Sequence, residues 1–215
     1  MVRAPKVLLG AAAAGIAGYQ LIGWMSHWGA SDEEIAASYP GDELIDSPAD
    51  QTTRAVTIAA PAETIWSWLV QIGQDRGGLY SYDRLEQAIG LEIHSAEAIN
   101  PAWQHLEPDD RVRLVPPGWG PLPEGYALRV SMVDAPHALV LRQGPPQAPW
   151  DGVWTFVIVG VGPGLCRLVS RTRTHRNRGL GQSALRAATT LGAPINWLMT
   201  RRMLLTLKER AERLP

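Results

Sequence analysis

Apolar positions along the chain fall into three patterns: an uncharged run near the start, alternating segments through the middle, and a helical stripe at the end. Arg54 to Ile58 predicts a strand. Pro61 then opens a helix at its first position, where its missing N–H costs nothing. Glu63 suits the helix dipole there. Ile65, Trp68, Leu69 and Ile72 are spaced as a buried face, and Gly73 ends it. A second helix is predicted from Ser81 to Ile89, with Ser81 as cap, Tyr82, Leu85 and Ile89 on one face, and Gly90 as the stop.

Five strands follow: Arg111 to Val115, Tyr126 to Val133, Ala138 to Gln143, Val153 to Val159 and Leu165 to Thr174. Their short, Gly- and Pro-rich separators imply an antiparallel meander, since parallel pairs need long crossovers. The Gly160-x-Gly162-x-Gly164 run reads as a hairpin turn, because strands flank it and no helix opens after it. On the last strand Cys166, Leu168, Ser170 and Thr172 share one face, and Arg167, Arg171 and Arg173 the other. A long helix closes the chain. Gly192-Ala193-Pro194 marks its start or a kink, and Ile195, Met199, Met203, Leu207, Ala211 and Leu214 form its apolar stripe. The expected fold is α+β: a curved antiparallel sheet wrapped on a long C-terminal helix, with a gap between them for a small apolar ligand.

The early run, Val7 to Met25, carries no charge. Nineteen helical residues span about 28 Å, close to the roughly 30 Å of a bilayer core. The expectation is a membrane-associated protein with a single-pass N-terminal helix, Arg3 and Lys6 inside, and Trp24 and Trp28 as interfacial anchors. A cleaved signal peptide and an apolar helix packed on the domain or a partner are the alternatives. Gly10, Gly15, Gly18, Gly23 and Gln20 make the run only weakly hydrophobic. The expected organisation is an apolar helix over 1–27, a connector over 28–52 and a folded domain over 53–215. In the connector, Ser31 and Glu34 have the spacing of a capping box.

Composition narrows the class. With 46% hydrophobic and 19% charged residues and a net charge of −1, the 215-residue chain is not disordered. One cysteine, Cys166, excludes an intrachain disulfide framework. The five histidines, His27, His94, His105, His137 and His175, lack helical metal spacing, so neither metal nor cofactor is expected. Neutral overall charge and the absence of a reader motif argue against nucleic acid. Charge is uneven, however. Residues 161–215 hold eleven Lys/Arg against two Glu, a balance of +9, and residues 1–160 have a balance of −10. Mutual neutralisation within the fold is one account, and a basic surface against anionic lipid headgroups is the other.

Several segments carry a family likeness: Trp28-Gly29-Ala30-Ser31, Pro40-Gly41-Asp42-Glu43-Leu44, and the run Gln71-Ile72-Gly73-Gln74-Asp75-Arg76-Gly77-Gly78-Leu79-Tyr80-Ser81-Tyr82-Asp83. Ile93-His94-Ser95-Ala96, Trp103-Gln104, Met203-Leu204-Leu205 and Lys208-Glu209-Arg210-Ala211-Glu212 continue it. With the element order, these residues resemble the SRPBCC superfamily, the START-like, Bet v 1-like and polyketide cyclase/dehydrase-like helix-grip proteins. Within it they are most similar to a bacterial group without assigned chemistry. The likeness covers roughly residues 28 to 213. It implies a helix-grip fold and a hydrophobic ligand cavity. Members bind lipids, transport them, or cyclise and dehydrate polyketides, and fold does not choose among these.

Candidate chemistry concentrates in Gln74, Asp75, Arg76, Tyr80, Tyr82 and Asp83, with His94 and Gln104 downstream. Asp75 or His94 would act as base, Arg76 would hold an oxyanion, and Tyr82 would donate a proton. The structural alternative pairs Asp75 with Arg76, gives Gly77-Gly78 to a turn and roofs the core with the tyrosines. Candidate ligand contacts are Trp68, Arg76, Tyr80, Tyr82, Trp154, Ser170, Thr172 and Met199. The leading expectation is binding or carriage of a hydrophobic small molecule or lipid at a membrane. A cyclase/dehydratase-type enzyme and an interaction module with a filled cavity are the rivals. Nothing in the chain indicates an oligomeric state.

Overall fold

Alternation between inward apolar and outward polar residues builds one sheet of six strands: β1 (Asp50–Ile58), β2 (Arg111–Val115), β3 (Tyr126–Asp134), β4 (Ala138–Gln143), β5 (Gly152–Gly162) and β6 (Leu165–Thr174). The computed structural model describes residues 17–120, 123–143, 151–175 and 182–213, with the side chains of 182–191 excepted. The spatial order is β1-β6-β5-β4-β3-β2, every pair antiparallel. Strands β2 to β6 are thus the expected meander. Strand β1 joins at the far edge, with Arg54 opposite Ser170. The glycine run is a hairpin: Pro163-Gly164 turn β5 into β6, and Gly164 takes the left-handed φ of 62° that the turn requires.

Among the described residues five α-helices accompany the sheet: α1, described over 17–26, α2 (Asp32–Ala36), α3 (Ala62–Leu69), α4 (Asp83–Ala88) and α5 (Gln182–Arg213). Pro61 caps α3 from just outside rather than opening it. Ile65, Trp66, Trp68 and Leu69 bury its inner side. Helix α4 turns the opposite way from the expected one. Leu85 and Ile89 are 47% and 54% exposed, and Glu86 is 1% exposed. Six residues make fewer than two turns. The apolar packing falls instead to Leu91 and Ile93, just beyond the helix.

Helix α5 begins well before Gly192 and runs through Pro194. Its stripe buries Met203, Leu204, Leu207 and Ala211 against the sheet and α3, whereas Ile195 is exposed. Leu214 lies outside the described residues. The core joins Ile58, Leu139, Leu141, Phe156 and Leu168 of the sheet to Leu69 of α3 and Leu204 and Leu207 of α5.

The outer face of the sheet is covered by the connector. The Ser31 capping box forms, with Glu34 N donating to Ser31 Oγ at 3.2 Å and Ser31 N to Glu34 Oε2 at 2.9 Å. The outward arginines of β6 hold it down: Arg167 pairs with Glu34 at 2.6 Å, and Arg171 with Asp42 at 2.8 Å. Arg173 reaches the same Asp42 at 3.6 Å. Part of the charge imbalance between the two parts of the chain is therefore neutralised across this face.

The single-pass membrane location does not hold. Among the described residues no helix is long and apolar enough to cross a membrane. Residues 7–16 of the uncharged run lie outside the described residues. The described helical residues 17–26 include Gly18, Gln20, Gly23 and Ser26. Trp24 and Trp28 have other partners than a bilayer interface. Trp24 packs on Trp197 of α5 with ring centroids 5.4 Å apart, and Arg201 lies 5.1 Å over the Trp28 ring. Arg54 Nε donates to Met25 O at 2.9 Å and ties the end of α1 to β1.

Candidate functional site

A cavity of about 290 Å³ lies between the inner face of the sheet and α5. Period-two alternation aims Leu128 of β3, Trp154 of β5 and Thr172 of β6 into it. Asn196, Met199, Thr200 and Met203 approach from α5 at i, i+3, i+4 and i+7, one face of a helix. Leu79 and Leu114 complete an apolar lining. Trp154 is fixed in place: its Nε1 donates to the buried Ser170 Oγ at 2.9 Å, and its ring packs on Phe156 at 4.7 Å.

Polar groups in the cavity divide into answered and unanswered. Asn196 and Thr200 are answered: Arg54, almost fully buried and not itself on the cavity wall, donates to Asn196 Oδ1 at 2.9 Å and to Thr200 Oγ1 at 3.1 Å. Burial pushes its guanidinium down to about 10. Glu86 has no hydrogen-bond partner on either carboxylate oxygen. Burial pushes its carboxyl up to about 7, and the charge of Asp83 adds to the shift. The Tyr126 hydroxyl is also buried and unpartnered, and burial raises its phenol. Buried polar atoms are nearly always paired in folded proteins. Both groups line the same cavity.

Sheet order, the closing position of α5 and the hollow between them decide the architecture. The fold is a helix grip. No family model matches the chain, and no curated protein matches it. Solved structures do. A protein of Thermobifida fusca is 19% identical over 76% of this chain and 94% of its own, with a TM-score of 0.48. A START superfamily protein of Mycobacterium smegmatis is 14% identical over 77% of this chain and 99% of its own, with a TM-score of 0.40. Truncated norcoclaurine synthase of Thalictrum flavum is 17% identical over 77% of this chain and 92% of its own, with a TM-score of 0.39. Likenesses this distant do not extend to what this helix-grip chain binds.

The sequence candidates separate in space. Trp154, Thr172 and Met199 line the cavity, and Ser170 holds Trp154. Trp68 and Tyr80 belong to the core, edge to face at 6.3 Å. Arg76 donates to the carbonyls of Trp103 and His105, not to the cavity. Asp75 pairs with Arg113 at 3.4 Å rather than with Arg76. His94 is exposed, and neither it nor Asp75 lines the hollow. Tyr82 faces a second cleft beyond α4.

The polar loop is a staple. Gln71 Nε2 donates to Tyr80 Oη at 2.8 Å, and Gln71 Oε1 accepts from Asn100 N at 3.1 Å. A Cβ on Gly78, at φ 75°, would stand 2.6 Å from His94 O, so only glycine fits. Among the described residues, no three His, Cys, Asp or Glu side chains gather as metal ligands would. Sequence reasoning missed Glu86 and Tyr126. Tyr126 shares its strand face with Leu128, a signal that was available; Glu86 had none.

Proposed function

We propose that this helix-grip domain binds a small, largely apolar molecule between the sheet and α5, oriented by Glu86. The observation that carries the reading is the cavity itself, lined by Leu79, Leu114, Leu128, Trp154, Met199 and Met203, with Glu86 buried and unpaired among them. Each 100 Å² of apolar ligand surface buried there contributes about 2.5 kcal/mol. Glu86 adds direction. Near neutral pH its carboxyl is poised to donate to a ligand acceptor or accept from a ligand N–H or O–H.

Titration of the full chain with the neutral fluorescent probe N-phenyl-1-naphthylamine tests this. Saturable fluorescence gain is expected in the parent, and at least tenfold weaker binding in Met199→Trp, whose indole occupies the hollow. A cooperative melt of the variant excludes misfolding as the cause. No uptake by the parent, or equal uptake by a folded Met199→Trp, overturns the reading.

A second reading has one observation in its favour, the Glu86 carboxyl near 7 in apolar surroundings. As carboxylate it would remove the α-proton of a bound ketone, leaving an enolate, and return the proton from its acid form. Exchange of the α-hydrogens of 2-nonanone in D₂O, lost in Glu86→Gln, is the expected sign. Exchange equal to the protein-free rate removes this reading and leaves the binding one.

A further inference from the structure

A second hollow, of about 430 Å³, opens on the other side of α4. Ser81 lines both hollows. Arg202, Thr206 and Arg210 recur every four residues on α5 and form one wall. Arg84 of α4 and the Tyr82 that precedes it face them.

Three arginines thus line one cleft, and no described carboxylate pairs with any of them. Their neighbours on α5 do pair, Lys208 with Glu212 and Arg213 with Glu209. The acid in the cleft, Asp83, is already engaged, accepting from Ser95 N at 2.8 Å and Ser95 Oγ at 2.6 Å. Aromatic rings position two of the arginines instead. Arg202 lies 5.9 Å over Tyr82, and Arg210 lies 5.4 Å over Trp68. Stacking holds a guanidinium plane and leaves its N–H edge for an acceptor.

Buried donors in the same wall lack that acceptor. Thr206 is 6% exposed, and its hydroxyl has no partner. Arg210 Nε is buried and unpartnered as well. A solvated basic helix face would leave its charges in water and its buried hydroxyls bonded within the helix. Arg202 is exposed, as on such a face, but the buried Thr206 hydroxyl and Arg210 Nε have no partner within the protein.

We propose that the cleft binds a phosphate group. Three arginines less Asp83 leave two positive charges, matching a phosphate monoester dianion. Guanidinium forks meet phosphate oxygens in bidentate pairs, and the Thr206 and Tyr82 hydroxyls supply further donors. The inference stands apart from the apolar cavity, although shared Ser81 lets one ligand reach both.

Calorimetric titration of the full chain with inorganic phosphate at low ionic strength is the test. Saturable binding with a Kd of about 1 mM or tighter is expected. Arg202→Gln and Arg84→Gln should each weaken it at least tenfold. Arg129→Gln, which breaks the exposed Arg129–Asp109 pair outside the cleft, should change nothing. Absence of saturable binding overturns the proposal, as does equal weakening by Arg129→Gln or none by the cleft variants.

Hexyl phosphate identifies the source of the group. Affinity tenfold above that of inorganic phosphate assigns the cleft to an amphipathic phosphate whose chain enters the cavity. Equal affinity assigns it to a free or polar phosphate. Met199→Trp should erase only the hexyl gain. Failure of the cavity reading therefore leaves the inorganic phosphate result standing.

Discussion

Two buried ionisable side chains, Arg171 outside the sheet and Glu86 of α4 inside it, are handled in opposite ways. On the outer face the Arg171 side chain is 3% exposed and fully answered. It donates to Ala37 O at 2.6 Å, to Glu34 O and Ile35 O at 2.8 Å each, and to Asp42 Oδ2 at 2.8 Å. It also donates to Thr53 Oγ1 at 3.2 Å and lies 4.5 Å over the Tyr39 ring. On the inner face Glu86 is as deeply buried and has no partner. A buried charge surrounded by acceptors fastens the connector to the sheet. A buried carboxyl without donors does nothing for folding at neutral pH, and it opens onto the cavity where a guest would meet it. Outer face and inner face thus separate scaffold from candidate site.

Arg171→Leu breaks the scaffold side most severely. It takes one donor from Asp42 and removes the donor of three carbonyls, and breaking such buried pairs costs about 3–5 kcal/mol. Typical domains have only about 5–15 kcal/mol in total. Urea unfolding should show that loss in the variant, and proteolysis should reach the connector first. A loss below about 1 kcal/mol would mean the outer face is not held as described.

Glu86→Gln sharpens the inner side, and its effect depends on pH. The folded carboxyl sits at about 7 against an ordinary 4.5, so the native state binds the proton more tightly than the unfolded chain. The group favours folding most when protonated. That advantage falls as pH rises from about 4.5 to about 7 and levels off above, with a full cost of about 3 kcal/mol. Glutamine has the protonated shape and no charge. The variant should melt higher than the parent at about pH 8 and coincide with it near pH 4. Equal melting temperatures at both values would mean that Glu86 finds a partner in solution.

Period-two alternation and turn-rich separators made the meander legible, because side-chain direction is fixed by the pleat. The same alternation carried Trp154, Thr172 and the arginine face of β6. It could not say which acids the arginines meet, since Glu34 and Asp42 lie more than a hundred residues away in sequence. The imbalance of charge between the two parts of the chain was the visible trace of those pairs. The stripe from Met199 to Ala211 made α5 legible, but Pro194, a residue that normally ends or kinks a helix, hid its earlier start. Glu86 was illegible for a different reason. A helix of six residues is too short for a stripe to fix its rotation, and Leu91 and Ile93 beyond it decided which side went in. An uncharged run suggested a membrane span, yet among the described residues no helix is long and apolar enough for one.

The smallest expected effects fall on the residues that looked most chemical in the sequence. The Asp75 side chain is 52% exposed and its partner Arg113 stands 3.4 Å away, so screening by water leaves the pair worth little. His94 is exposed, and its backbone carbonyl, not its ring, is what crowds Gly78. Asp75→Asn and His94→Ala should each change stability by less than about 0.5 kcal/mol, as surface substitutions do. Both should keep probe affinity within twofold of the parent. A tenfold loss in either variant would draw the polar loop into the binding site and dissolve the division between a paired outer face and a receptive inner one.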